Sequence, residues 1–389
     1  MNNGSYLIQG NSQGGGGYNQ PPIGYPPQVG YNQPQTSNPP QQPPLGGGDF
    51  FHSPPGVSST VDAIHQTWET YGKDIDQSIL DQDCQRLRDA MKGSGTDERA
   101  IIAVLTSRCN VHRYLLKQRY KVLFDRDLVK DLKKELSSSF EDCCLALVES
   151  PYELDCRSLY EAMHGLGTNE STLIEIILTR PTHQLYQDKI LFQKLYKKDL
   201  IKYVESETSG LLRKILVGVL QCQRHENDYP INNDELQMEA QKLYSTGVEK
   251  WKKDDSIFTQ LFSTRSPNEI AVIAQFYKQL AGFDIEISLQ KGFKGDILEY
   301  LRDMFNSSTN ITEWFAKRIR NCVDREAIKI KRLIRTFIFR AEVDLKEIND
   351  IYIKLYGNDM FYNILSRTRF ETNSLFVQIC QNMKALYNV

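Results

Sequence analysis

An arginine followed nineteen residues later by an aspartate occurs four times in the chain: Arg108 and Asp127, Arg180 and Asp199, Arg265 and Asp284, Arg340 and Asp359. A spacing that recurs in this way constrains the fold strongly, because each copy must be one supersecondary unit that buries its apolar face against its neighbours. Each aspartate follows a hydrophobic stretch that runs into a break (LFDRD, LYKKD, AGFD, LYGND) and precedes another apolar segment (LVKDL, LIKYV, IEISL, MFYNIL). A helix N-cap belongs there, since a short carboxylate accepts from the free N–H groups of the first turn. Within the copies apolar residues return at helical spacing, as in Ile101, Val104 and Leu105 or Leu173, Ile176 and Ile177. The fold class is therefore all-α, with about five short helices per repeat and few strands, and no helix able to bury its apolar stripe alone.

Residues 1–60 lie outside the pattern and carry one formal charge, Asp49, amid Gly, Pro, Gln, Asn, Ser and Tyr. So little apolar surface does not offset the cost of ordering the chain, so a disordered tail is expected, with folding from about Val61. The repeats are assigned to residues 75–149, 150–222, 233–305 and 310–389. No secretory leader and no run long enough for a membrane span is found, which predicts a cytosolic, soluble protein. The eight cysteines lack metal or redox spacing, and most are read as buried free thiols. Sequons at Asn169, Asn306 and Asn310 then carry no glycan. A net charge of −2 argues against nucleic acid as an obligatory partner.

The segment MKGSGTDE at 91–98 returns as MHGLGTNE at 163–170. A P-loop would need GxxxxGK[ST] after a strand, which neither segment offers. A plain helix–helix turn stays open, with the glycines stopping one helix, Thr96 capping the next, and Asp97 and Glu98 favourable in its first turn. A metal cage is the other reading. An acid stands 44 residues beyond each loop methionine, Glu135 and Glu207, where the fourth helix of each copy should end. Ca2+ takes about six to eight oxygens from carbonyls, carboxylates and water, and glycine lets successive carbonyls turn inward.

Four repeats, two of them with KGxGT-like loops, resemble the annexin family over residues 75–389. The resemblance implies a curved disc of four five-helix repeats and Ca2+ sites of the family's type II. One would use the carbonyls of Met91, Gly93 and Gly95 with Glu135, the other those of Met163, Gly165 and Gly167 with Glu207. It also implies acidic phospholipid membranes as partner, with peripheral attachment when calcium rises and roles in membrane organisation, trafficking or aggregation. With a single carboxylate per site, intrinsic affinity is expected to be weak. A lipid phosphate that fills an open position then makes calcium and membrane binding mutually supportive. His164, where the first loop has Lys92, reads as a solvated side chain or a pH sensor.

Copies three and four depart from the family pattern. Copy three reads VEKWKKDD at 248–255 with Gly292 at the acid position, and copy four offers Val323, Arg325 and Ala327 with Arg367. Trp251, between Lys250 and the pair Lys252 and Lys253, suits a headgroup interface or a place under its own loop. Residues 317–340 hold nine basic residues (Lys317, Arg318, Arg320, Arg325, Lys329, Lys331, Arg332, Arg335, Arg340) against Asp324 and Glu326. This run reads as a solvated helix face or as a calcium-independent patch for anionic lipid, with Lys329, Lys331 and Arg332 as candidates. The tail segment 23–35 favours extended polyproline structure and resembles the tails of synexin-type annexins. Those imply calcium-sensor partners or self-association. No HExxH, GxSxG, Walker or EF-hand pattern is present, so no enzyme is expected. The alternative function is a cytoskeleton-associated structural protein attached without calcium through the basic fourth repeat.

Overall fold

The structure, a computed structural model, describes residues 76–227, 229–324, 328–368, 372, 374–376, 378 and 379. The tail at 1–60 with its partner, the fold start near Val61, Arg325, Ala327 and Cys380 lie outside these residues. The described residues form nineteen α-helices and no strand, as the all-α reading requires. The first group is α1 (Gln77–Ala90), α2 (Glu98–Thr106), α3 (Asn110–Phe124), α4 (Leu128–Glu135) and α5 (Ser138–Val148). The second is α6 (Pro151–Met163), α7 (Glu170–Thr179), α8 (Thr182–Tyr196), α9 (Leu200–Glu207) and α10 (Gly210–Leu220). The third is α11 (Asn233–Trp251), α12 (Ser256–Thr264), α13 (Pro267–Ala281), α14 (Ile285–Gly292) and α15 (Gly295–Thr309). The fourth contains α16 (Ile311–Val323), α17 (Ile330–Ala341), α18 (Leu345–Tyr356) and α19 (Met360–Leu365).

The four repeat aspartates all occupy N-cap positions, of α4, α9, α14 and α19. Asp127 accepts from Lys130 N–H at 3.1 Å, Asp199 from Lys202 N–H at 2.9 Å and Asp359 from Phe361 N–H at 2.7 Å. Asp284 makes no such bond because its carboxylate is drawn to Lys278 at 3.0 Å. Two residues earlier in each repeat, the preceding helix ends on a left-handed residue: Asp125, Lys197, Gly282 or Gly357. Left-handed termination followed at once by an N-cap makes a tight corner of fixed register. The helices α6 and α13 start with capping boxes, Ser150 with Glu153 and Ser266 with Glu269, each with proline at the first helical position.

The first three repeat arginines follow the second helix of their groups and tie its end back to the first helix. Arg108 pairs with Asp83 at 2.5 Å, Arg180 with Asp155 at 2.7 Å with both side chains fully buried, and Arg265 with Glu235, Glu239 and Glu269. Arg340 instead pairs with Asp344, across the turn between α17 and α18.

The core is two clusters, and they do not follow chain order. Leu87, Leu105 and Leu132 of the first group share one cluster with Phe315, Leu333 and Phe337 of the fourth. Ile176, Phe192 and Ile215 of the second share the other with Phe258, Phe262 and Phe305 of the third. A polar knot joins residues of the two pairs. Glu175 on α7 accepts from Arg318 on α16 at 2.6 Å and from Arg335 on α17 at 3.0 and 2.9 Å, with Thr336 at 3.2 Å. Burial alone would raise the Glu175 pKa, but the charges of Arg335 and Arg318 outweigh it and hold the carboxyl well below the usual range.

Candidate metal centre

The first glycine loop leaves α1 at Met91, whose side chain is buried and so anchors the loop. Asp97 N–H then donates back to the Ala90 carbonyl at 2.9 Å, closing the loop on itself. The second loop repeats this from Met163, with Asn169 N–H on the Ala162 carbonyl at 2.8 Å. Between these closures Gly93 (φ 106°), Gly95 (φ 90°), Gly165 (φ 109°) and Gly167 (φ 79°) all sit at positive φ. An added Cβ at any of them would meet nothing within 4 Å. The backbone conformation, not crowding, therefore demands glycine, and the space beside the loop is open.

The structure brings both acids to the loops. Thr96 donates its hydroxyl to the Glu135 carbonyl at 3.5 Å, and Thr168 donates to the Glu207 carbonyl at 3.0 Å. Each glycine loop is thereby tied to the end of α4 or α9, where the carboxylate stands. This corrects the expected cap: Asp97, accepting from Ala100 N–H at 3.0 Å, and Asn169, accepting from Thr172 N–H at 3.2 Å, cap α2 and α7. The threonines instead tie loop to helix end, and the signal for this is the 39-residue spacing to the acid in both copies.

The two centres differ in detail. The Glu135 carboxylate pairs with exposed Lys134 at 3.0 Å, whereas that of Glu207 makes no hydrogen bond or ion pair among the described residues. Tyr203 donates to the Met163 carbonyl at 3.0 Å, and a carbonyl oxygen keeps a second lone pair for a metal. The matching position in the first repeat is Asp131, which is taken up by Arg126 at 2.5 Å and Tyr120 at 2.9 Å. Glu98 joins Glu135 in lining a cavity of about 210 Å3, a second carboxylate that sequence reading passed over as a helix-start residue. Among the described residues no group of three or more His, Cys, Asp or Glu could hold a metal. A site drawn from loop carbonyls and one acid needs no such group, so these residues fit a hard cation. His164 is exposed and stacks on Tyr160 at 4.8 Å.

The third repeat is built differently. Gly247 (φ 69°) breaks α11, and the following turn carries Val248 to within 2.8 Å of where a Cβ on Gly292 would stand. The acid position is thus filled by packing. Trp251, offered as a membrane candidate, is 0% exposed and packs edge-on against Phe258 at 5.4 Å. This is a correction: the lysines around it point to solvent, but the kink turns the indole into the core. Lys252, the second candidate there, is exposed and pairs with Glu249 at 2.8 Å, and Lys253 is exposed.

The described part of the basic run of the fourth repeat is divided between core and surface, which corrects its reading as one continuous face: Lys317 and Lys331 are exposed, but others are not. Arg318 and Arg335 are buried on Glu175, Arg320 pairs with Asp324, Lys317 with Glu313 at 2.6 Å and Lys331 with Glu161 at 3.0 Å. Lys329 and Arg332 are half-buried. The cysteines follow expectation where described: five are buried, and burial pushes the Cys84 thiol up to about 12. No described helix is long and apolar enough to cross a membrane.

The fold and loops define a class of all-helical, four-repeat proteins in which a glycine loop is tied to a carboxylate on a helix end. The annexin family model matches residues 82–147, 154–219 and 238–303, leaving the divergent fourth group outside. Annexin A13 of Homo sapiens is 34% identical over 300 residues, which span 77% of this chain and 95% of that protein. The structure of annexin III matches with a TM-score of 0.75 at 30% identity, covering 79% of this chain and 94% of that one. A calcium-bound annexin (Sm)1 matches with a TM-score of 0.69 at 26% identity, covering 77% and 90%. The chain belongs to the annexin family, known for calcium-dependent phospholipid binding and generally not enzymatic.

Proposed function

We propose that the chain attaches peripherally to acidic phospholipid membranes when calcium rises, through its first two repeats. The two threonine bridges, Thr96 to Glu135 and Thr168 to Glu207, carry the reading, because they twice hold a glycine loop against a helix end that bears an acid. The carbonyls of Met91, Gly93 and Gly95 with Glu135 would hold one ion, and those of Met163, Gly165 and Gly167 with Glu207 the other. Calcium, when bound, supplies a hard positive charge that a lipid phosphate oxygen can also ligate. The chain contributes few charges per site, so affinity stays low until a membrane oxygen completes the shell, and each ligand then raises the affinity for the other. The protein would thus stay cytoplasmic at rest and serve membrane organisation, trafficking or aggregation. Calcium-independent attachment through the fourth repeat finds little support, since most of its cations are engaged with carboxylates.

The test is sedimentation with phosphatidylserine vesicles across a calcium titration, comparing the full chain with Glu135→Gln/Glu207→Gln. The wild type should sediment only with calcium, and the double variant should need at least tenfold more. Equal sedimentation of both would remove the two loops from the mechanism.

A further inference from the structure

A cavity of about 350 Å3 between α6 and α17 has no part in the calcium reading. His164 and Asn169, at the two ends of the second glycine loop, stand in its wall. Its cations are Arg157 on α6 and Lys331, Arg332 and Arg335 on α17. Three of them are answered by carboxylates: Arg157 by Glu149 at 2.7 Å, Lys331 by Glu161 at 3.0 Å and Arg335 by Glu175 at 2.9 Å. Arg332 is not answered. It is half-buried, yet among the described residues it makes no hydrogen bond or ion pair.

The nearby carboxylates are engaged elsewhere. Arg318 and Arg335 already share Glu175, and the next acid, Asp303, stands 3.6 Å from Arg318 and partly exposed. Burial, and then the Arg318 charge, lower the Arg332 pKa from its ordinary value, and the charge of Glu175 opposes this without touching Arg332. A cation withdrawn from water without a partner is costly, and a guanidinium fork matches the oxygens of a phosphate. Asp142 faces the same cavity but forms no ion pair among the described residues.

We propose that this cavity binds a phosphate monoester or inorganic phosphate, with Arg332 holding the phosphate oxygens and Lys331 and His164 at the rim. A phosphate monoester is largely a dianion at neutral pH, its second pKa being about 6, and so suits a guanidinium that has no carboxylate in direct contact. Two sources share this chemistry: a lipid whose headgroup ends in a phosphate monoester, and a soluble phosphate. The cavity shares His164 and Asn169 with the second glycine loop, so the proposal is tested without calcium.

The full chain is dialysed against radiolabelled inorganic phosphate in chelator at fixed ionic strength. The wild type should bind one phosphate per chain, Arg332→Gln should lose at least tenfold in affinity, and Asp142→Asn, which removes a repelling charge, should gain several-fold. Sedimentation with phosphatidylcholine vesicles containing phosphatidic acid, also in chelator, separates the sources. Arg332-dependent sedimentation assigns the lipid, while phosphate binding without sedimentation assigns the soluble ligand. Absence of phosphate binding by the wild type, or equal binding by Arg332→Gln, overturns the site. A loss in Asp142→Asn overturns it too, because Arg332 then depends on that carboxylate and is not free to hold an anion. If Arg332→Gln does not fold, the absence of a gain in Asp142→Asn is sufficient to reject the site.

Discussion

Asp188, on α8, is fully buried, and neither of its carboxylate oxygens has a hydrogen-bond partner among the described residues. Burial, reinforced by the charge of Asp155 and opposed by that of Arg180, pushes its pKa well above the usual carboxylate range. The folded chain therefore keeps a proton that the unfolded chain releases near pH 4. The native state binds more protons over that interval, so stability falls as pH rises from about 4 towards the raised pKa. Asp188→Asn should flatten this slope, seen as a urea midpoint that varies less between pH 4 and 7 than in the wild type. Parallel profiles for the two proteins would mean that the carboxyl is ionised in the fold. Nothing in the sequence marks this residue, since YQDK reads as a solvated polar stretch. Its burial is a tertiary fact, visible where Cys156 of α6 donates to the Asp188 carbonyl at 3.3 Å.

At the scale of the element, the two glycine loops are alike in backbone and unlike at the tip. Ser94 stands between the glycines of the first loop, and Leu166, fully exposed, between those of the second. An apolar side chain carried on a rigid loop has little to contact in water, and full burial of a leucine is worth about 1.5–3 kcal/mol. Even partial entry into the headgroup region makes Leu166→Ser about five- to tenfold weaker on phosphatidylserine vesicles at fixed calcium, while Ser94→Leu should strengthen binding. Unchanged sedimentation by both variants would mean that the loop tips stay clear of the bilayer. Local chemistry made the aspartate caps and the positive-φ glycines legible beforehand, since both act over a few residues, and the acids at the ends of α4 and α9 were legible because their spacing from the glycine loops recurs in two copies. Trp251 and the basic run were misjudged because their surroundings are set elsewhere, by the turn at Gly247 and by Glu175, which lies more than 140 residues from Arg318. Likewise Asp125 and Lys197 end their helices in the left-handed region, where sequence alone looks for glycine.

At the scale of the molecule, Glu175 is the point where second-repeat and fourth-repeat residues meet in a buried ionic knot. Removing one partner of such a group leaves the others charged and desolvated, at a cost of about 3–5 kcal/mol. Glu175→Gln should lower stability by about that amount in urea titration. Its unfolding curve should also broaden, because the two core clusters lose the most buried of their polar ties, Lys331 to Glu161 and Arg318 to Asp303 being more exposed. A loss below about 1 kcal/mol would mean that the arginines find water or other acids instead. The pairing of the first group with the fourth also has a consequence during synthesis. At about 5–20 residues per second, the ribosome makes the first group's helices tens of seconds before the fourth that completes their core. Leu87, Leu105 and Leu132 must wait for Phe315, Leu333 and Phe337, while the second and third groups can already close on each other. The middle of the chain should then be the part that first becomes resistant to protease on the ribosome, with the first group protected only after the last repeat emerges.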